Sequence, residues 1–206
     1  MKYPTCLLPA LLAAVLLAPA AAIADTGKDL SHEEVTEYFG GLESDAQRLI
    51  GEGDYAGFVA WVRDGVTEEA VFTLNGLAQM GEHRQEIDVP GLNKQVLLQL
   101  GQFAAEILSQ MPRDLLTDYA IDIEVAKTEP VGPHSARART RIVETGKLMM
   151  PDMTAPPQAR APGQAQQMPT PKAFEAVAEC EHLVRRRDAD SPLQLGMTMC
   201  RVDVKL

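Results

Sequence analysis

The sequence has few cysteines, no excess of basic residues and no apolar run long enough to cross a membrane. Its 206 residues include three cysteines, and 19 lysines and arginines stand against 29 aspartates and glutamates, a formal net charge of −10. Nonspecific binding to nucleic acid or to an anionic membrane needs a basic surface, so this balance argues against both functions. A chain of this length can bury a core without a structural metal, and we predict no metal and no cofactor.

The first 24 residues are typical of a secretory signal peptide. Lys2 precedes an apolar stretch from Cys6 to Leu17, and Ala22-Ile23-Ala24 forms a small-residue site before the polar Asp25. A membrane-spanning helix needs about 20 apolar residues, so this shorter stretch, with Pro9 inside it and Pro19 just after it, argues against an anchor. We therefore expect a signal peptide over residues 1–24 and a secreted, periplasmic protein with a single domain over residues 25–206.

The two cysteines that remain after residue 24, Cys180 and Cys200, face each other in one register of the last two predicted strands. The same register sets Glu175 opposite Lys205, aligns apolar residues on the other face and leaves a turn at residues 188–192. Opposed residues of an antiparallel pair have Cα atoms about 4.5–5.5 Å apart, within the range of a disulfide. We predict a Cys180 to Cys200 disulfide, with two free core thiols as the alternative.

Three helices are predicted ahead of most of the sheet. Ser31 and Glu34 fit a capping box, and Asp54 and Asn93 are positioned to cap two further helices. Apolar residues recur at helical spacing after each cap. In the third helix the residues expected to face inward are Val96, Leu97, Leu100, Ala104, Ile107, Leu108 and Met111.

The rest of the chain has the period of strands. Residues 71–74 form a short β-prone run that we expect to end in a turn at Asn75-Gly76. Two alternating strands follow residue 118, joined by a turn at residues 130–133, and residues 151–172 are rich in proline and glutamine and predict a mobile loop. Across these two strands we expect acidic residues to oppose arginines on the solvated face: Asp118, Asp122 and Glu124 against Arg137, Arg139 and Arg141.

Helices followed by an antiparallel sheet with one apolar face predict an α+β fold in which the N-terminal helices pack on the concave face of a curved sheet, a half-cone. This order of elements, together with residues 53–60 and 71–76, resembles the nuclear transport factor 2-like superfamily, which includes SnoaL-like cyclases and ketosteroid isomerase. The resemblance implies a pocket between the helices and the concave sheet face.

The resemblance also allows the isomerase mechanism to be tested by position. Where ketosteroid isomerase has its oxyanion-donating tyrosine and its aspartate base, this chain has Ala46 and Thr73. Neither can transfer a proton, so that mechanism is not supported. His182, which neighbours Thr198 in the predicted register, is a weak candidate for a general base, and a core histidine with satisfied hydrogen bonds is the favoured interpretation.

The small residues Ala136, Ala138, Ala176 and Ala178 on adjacent strands leave either close helix packing or a cavity. The residues expected to line such a pocket are Tyr38, Tyr55, Phe58, Trp61, Tyr119, Ile121, Thr140, His182 and Thr198. A small apolar ligand with one or two polar groups would fit this set.

Six methionines lie between residues 149 and 199, and thioethers suit Cu(I), so a copper-binding protein is a third class to consider. Gap filling or a partner surface is the favoured interpretation of these residues, which are Met149, Met150, Met153, Met168, Met197 and Met199. A second copy or another protein could bind the strand face expected to carry Leu183, Leu195, Met197 and Met199.

The sequence thus predicts a secreted or periplasmic noncatalytic binding or assembly module. A SnoaL-like enzyme of isomerase, cyclase or dehydratase type, acting on a small apolar substrate, is the alternative.

Overall fold

The computed structural model describes residues 29–110, 115–150, 170–188 and 190–206. The predicted signal peptide and Met111 therefore lie outside the described residues. Three helices and six strands follow in the order α1 His32–Gly51, α2 Tyr55–Gly65, β1 Val66–Met80, β2 His83–Asn93, α3 Lys94–Ser109, β3 Leu116–Gly132, β4 Ser135–Met150, β5 Thr170–Arg185 and β6 Gln194–Lys205.

The strands form one six-stranded sheet in the order β2-β1-β6-β5-β4-β3. All neighbouring strands pair in antiparallel fashion except β1 and β6, which pair in parallel. The sheet is curved and unclosed, and the helices pack against its concave face, where the apolar residues of both layers form one core. This architecture confirms the predicted α+β half-cone.

The predicted helix caps are all present. The Ser31 hydroxyl accepts a hydrogen bond from the Glu34 amide at 3.1 Å, while a Glu34 carboxylate oxygen accepts one from the Ser31 amide at 2.8 Å. Asp54 and Asn93 accept bonds from the amides of residues 57 and 96. In α3 the inward stripe is narrower than predicted, because Val96 is exposed at the first turn while Leu97 and Leu108 are buried.

The Asn75-Gly76 turn was a wrong prediction. These residues lie inside β1, and the chain turns instead at Gly81 and Glu82. Strand β2 follows this turn and was not predicted, because its first residues are polar. Gly76 serves a close approach: a Cβ placed there would lie 1.7 Å from the carbonyl oxygen of Val202 on β6. This glycine therefore marks tight pairing of two strands rather than a turn.

The register of the C-terminal hairpin follows the prediction from Glu175 opposite Lys205 to Leu183 opposite Met197, and the structure contains the Cys180 to Cys200 disulfide, with Cα atoms 4.1 Å apart. A bulge after Leu183 shifts the remaining pairs by one residue. Leu195 therefore faces the core and is fully buried, so its assignment to the outer face was wrong. Met199 stays outside, with 44% of its surface exposed.

The arginines of β4 are exposed as predicted, but most of their partners differ. Only Glu124 lies opposite an arginine as expected, namely Arg141. Arg137 and Arg139 both contact Glu181 on β5, at 3.2 and 3.5 Å, and Asp118 pairs with Lys147 instead. Irregularities in the pairing of β3 with β4 move the acidic residues out of the simple alternation.

Two boundaries of the loops also change. The turn between β3 and β4 falls at Pro133 and His134 rather than at residues 130–133, since β3 continues to Gly132. Residues 170–172 of the predicted loop at residues 151–172 belong to β5 instead, and residues 151–169 lie outside the described part of the chain. Among the described helices, none is both long and apolar enough to cross a membrane.

Candidate functional site

Helix α1 covers the inner face of β3 and runs antiparallel to that strand. Near its start His32 Nδ1 lies 3.0 Å from the Thr128 hydroxyl, and eleven residues later Glu43 accepts a hydrogen bond from the Ile123 amide at 2.9 Å. A helix rises 1.5 Å and a strand about 3.3 Å per residue, so eleven helical residues match these five strand residues in length. The two contacts therefore fix the helix along the concave face.

One polar cluster on this face centres on His182. Its Nε2 lies 2.9 Å from the Thr140 hydroxyl and its Nδ1 lies 3.0 Å from the Thr198 hydroxyl, while the ring of Phe39 packs at 5.0 Å between centroids. His182 has no exposed surface, and burial lowers its pKa to about 3. The imidazole is therefore neutral near pH 7 with both nitrogens engaged, which is the satisfied core histidine that the sequence favoured.

A second polar group on the same face is Glu144, which the sequence reasoning missed. It continues the inward alternation of β4 beyond Ile142 and lies opposite Ile121 on β3 and Ala176 on β5. The side chain is 1% exposed, and neither carboxyl oxygen has a hydrogen-bond partner among the described residues. Burial raises the pKa of Glu144 well above its ordinary value, so the carboxyl group holds its proton into a range where an exposed glutamate is ionised.

Two phenols share the buried environment of the inner face. Burial raises the pKa of Tyr119 well above its ordinary value, and the nearby charge of Glu144 raises it further. Tyr38 on α1 is buried, and its pKa is likewise raised by burial. Within the described part of the chain both hydroxyl groups lack a hydrogen-bond partner. Buried polar groups are nearly always paired in folded proteins, so these atoms with the Glu144 carboxyl form an unusual set.

We call Glu144 and Tyr119 the acid-phenol pair. Thr140, of the His182 cluster, and Glu144 lie four residues apart on β4, a spacing of about 13 Å along a strand. The pair is therefore distinct from the cluster. The alanines expected to allow either close helix packing or a cavity, Ala136, Ala138, Ala176 and Ala178, are all buried, and Ala176 leaves only a methyl group beside the carboxyl group.

The structure separates the predicted pocket residues into three places. Thr140, His182 and Thr198 form the hydrogen-bonded cluster, and Ile121 lies beside Glu144 with Tyr119 near it. Tyr55 instead lines a cavity of about 500 Å³ between α2 and α3. The rings of Phe58 and Trp61 contact each other at 5.2 Å between centroids, and Phe58 belongs to the core. Lining of a ligand pocket by these residues stays a prediction.

The two positions compared with the catalytic residues of ketosteroid isomerase, Ala46 and Thr73, do not form a catalytic site in the structure. Ala46 is buried in α1. Thr73 alternates with the buried Phe72 and Leu74 and so points to the outer face of the sheet. Among the described residues no group of three or more His, Cys, Asp or Glu side chains is placed to hold a metal ion.

Neither a protein-family model nor a curated protein sequence matches the chain. Solved structures do resemble it. The beta subunit of benzoate 1,2-dioxygenase from Burkholderia mallei is 12% identical with a TM-score of 0.50, and the match covers 85% of this chain and 92% of that one.

Two more distant structures are similar over most of their length. A nuclear transport factor 2-like protein of unknown function in nutrient uptake from Rhodospirillum rubrum has 15% identity, a TM-score of 0.41 and coverage of 78% of this chain and 93% of its own. A putative scytalone dehydratase from Novosphingobium aromaticivorans has 7% identity, a TM-score of 0.41 and coverage of 77% and 76%.

The chain has the nuclear transport factor 2-like fold, as the resemblance in its sequence predicted. Identities this low define the fold and leave the activity open.

Proposed function

We propose that the protein is an exported binding module that holds a small, mainly apolar ligand against the inner face of its sheet, with a polar group of the ligand at the acid-phenol pair. The observation that carries the proposal is the buried Glu144 carboxyl group, which has no hydrogen-bond partner among the described residues. Export is supported by the disulfide, because such bonds persist in oxidising compartments.

The energetic cost of Glu144 supports a functional role. Burying a polar group without a partner costs about 1–3 kcal/mol, and a leucine of similar size would avoid that cost. Functional sites retain such destabilising residues because a ligand supplies the missing interaction. A neutral carboxylic acid both donates and accepts a hydrogen bond, so it suits a carbonyl, hydroxyl or amide group on an otherwise apolar ligand.

The surroundings of Glu144 also favour an apolar ligand. Ile121 and Ala176 flank the carboxyl group on the neighbouring strands, and Ile142 separates it from Thr140. His182 is already bonded on both nitrogens and offers no further donor or acceptor. Recognition would therefore rest on apolar contact with one polar anchor, the usual design of small-molecule sites.

An enzyme of proton-transfer type is the second candidate, and it rests on the proximity of Glu144 and Tyr119. Burial raises the pKa values of both groups, so each keeps its proton to a higher pH than the same group would in water. Paired acids with shifted pKa values occur at sites of general acid catalysis. The binding proposal needs only that the pair hydrogen-bonds the ligand, whereas the enzyme proposal requires the ligand to be changed.

Native mass spectrometry of the protein purified from its own compartment tests the binding proposal. We expect a small-molecule adduct that is lost on denaturation. In the variant Glu144→Leu we expect lower adduct occupancy together with a free energy of unfolding raised by about 1–3 kcal/mol, because an unpaired buried polar group is removed. Glu179→Leu, an exposed glutamate on the outer face, is the matched control and should keep the adduct.

Absence of any adduct, or an adduct retained in full by Glu144→Leu, would contradict the proposal. A bound protein partner instead would favour an assembly function through the outer face. Incubation of the recovered ligand with wild-type protein in deuterated water separates binder from enzyme: unchanged mass supports the binding module, and exchange that Glu144→Gln abolishes supports the enzyme.

A further inference from the structure

A second cavity lies far from the acid-phenol pair, where the end of β5 meets the starts of β1, β4, β6 and α3. Its volume is about 500 Å³. Four basic side chains line it against two acidic ones: Lys94, Arg185, Arg186 and Arg187 against Glu68 and Glu69. With Glu34 beside Arg186, three of the four positive charges are paired with carboxylates, so the local excess is one positive charge in a protein of formal net charge −10.

The basic side chains are held in place by contacts with other elements. Lys94 Nζ lies 2.7 Å from a carboxylate oxygen of Glu68 and 2.9 Å from the Val66 carbonyl oxygen. Arg185 forms an ion pair with Glu69. These contacts tie the start of α3 and the end of β5 to the start of β1, so the cavity walls are organised before any ligand arrives, which reduces the entropy cost of binding.

Arg186 is the most constrained of the four. Its side chain is 2% exposed, with Nη1 3.4 Å from Glu34, which lies on α1 outside the cavity lining, and Nε 3.4 Å from His134 Nδ1. Arg187 is exposed at the rim. Arg186 therefore holds the cavity wall in place, while the exposed guanidinium of Arg187, a planar group with five N–H donors, is able to donate to an anion in the cavity.

Two further features of the cavity suit a negative ligand. The Thr67 hydroxyl is buried in its wall and has no hydrogen-bond partner in the described part of the chain. Lys94 is the first residue of the 16-residue helix α3, so the positive end of the helix dipole adjoins the cavity. A buried hydroxyl without a partner is rare and points to a group that a ligand supplies.

We infer that this cavity binds a small oxyanion group, a phosphate or a carboxylate. The guanidinium groups match the planar or tetrahedral arrangement of oxygens in such groups, and the Thr67 hydroxyl adds a neutral donor. The site does not depend on the acid-phenol pair, and it accounts for the Arg185-Arg186-Arg187 sequence. An anionic ligand also explains why basic side chains from the end of β5 and the start of α3 converge here.

Titration of the protein with inorganic phosphate and with succinate, followed by backbone amide NMR, tests the inference. We expect saturable shifts centred on residues 66–69 and 185–187. Sodium chloride at equal ionic strength should give no saturation. Saturation by phosphate alone or by succinate alone supports the site and shows whether it binds a phosphate or a carboxylate group. Saturation by neither overturns the inference.

Substitutions separate the cavity from general surface charge. Arg187→Gln changes an exposed side chain and should weaken binding about tenfold, the usual effect of losing one charge-assisted hydrogen bond. Thr67→Val should also weaken binding without changing any charge. Arg141→Gln, which removes an exposed arginine on the outer face, should leave the affinity unchanged. Equal affinity in Arg187→Gln and wild type, or equal loss in Arg141→Gln, would overturn the inference.

Discussion

Two buried groups on the inner face, His182 and Glu144, should have opposite effects on stability when the pH falls. The folded protein keeps His182 neutral, with a pKa of about 3, while the unfolded chain takes up a proton near pH 6.5. Acidification therefore stabilises the unfolded state. Linkage gives a loss of about 2 kcal/mol in the free energy of unfolding between pH 7 and pH 5, at 1.36 kcal/mol per pH unit once the unfolded histidine is charged.

Glu144 acts in the other direction. Its pKa is raised on folding, so the folded state holds a proton that the unfolded chain releases as the pH rises above about 4.5. The contribution of Glu144 to stability is greatest below that pH and is lost as the pH rises toward its folded pKa. In the wild type the two groups oppose each other between pH 7 and pH 5, so variants are needed to observe either effect.

Urea denaturation at several pH values between 5 and 7 measures both effects. Glu144→Gln should lose about 2 kcal/mol of stability from pH 7 to pH 5, because only the His182 effect remains. His182→Gln should instead gain stability on the same acidification. The exposed residues Glu179 and His83 provide the matched controls Glu179→Gln and His83→Gln, which should keep the wild-type profile. A flat profile for Glu144→Gln would refute a neutral, buried His182.

Replacing Cys180 and Cys200 with serine should lower the free energy of unfolding by about 3 kcal/mol, because the disulfide closes a loop of 20 residues. Thermal denaturation with and without reductant measures this effect. An unchanged melting temperature would contradict it. Gly76→Ala should cost roughly 2–4 kcal/mol in chemical denaturation because its Cβ would meet the Val202 carbonyl, whereas Gly40→Ala, at an exposed helix position with open space, should stabilise by about 0.5–1 kcal/mol. Cell fractionation should recover the protein outside the cytoplasm, and cytoplasmic recovery would overturn the proposed export.

The parts of the fold that were predictable rest on local signals that tertiary structure does not override. The caps at Ser31, Asp54 and Asn93 need only short-range hydrogen bonds, and the final hairpin combines charge pairing, alternation and a disulfide in a single register. Structure can be predicted from sequence where independent signals agree in this way. The bulge after Leu183 has Gly196 as its extra residue. A glycine inside a strand fits a bulge or a close strand approach equally well, so it did not decide the orientation of Leu195.

The candidate site was harder to predict because its key residue is typical of a surface. Glutamate is rarely buried, so the residue type of Glu144 suggests an exposed position. Its place two residues after the inward-facing Ile142 nevertheless puts it on the buried face of the strand. Strand β2 was missed for a related reason, since its first four residues are polar and exposed at the edge of the sheet. Gly76 resembled a turn signal because glycine serves both turns and close strand approach.

The protonation state of Glu144 in the free and ligand-bound protein tests the central claim most directly. Carbon-13 NMR of the glutamate carboxyl groups, with Glu144 assigned through Glu144→Gln, can follow the pH titration before and after the co-purifying ligand is removed. We predict that the free protein titrates Glu144 well above the ordinary glutamate range, and that ligand shifts this one resonance while Glu179 is unchanged. Titration of Glu144 in the ordinary glutamate range would contradict the account, and so would a Glu144 resonance that does not shift when the ligand binds.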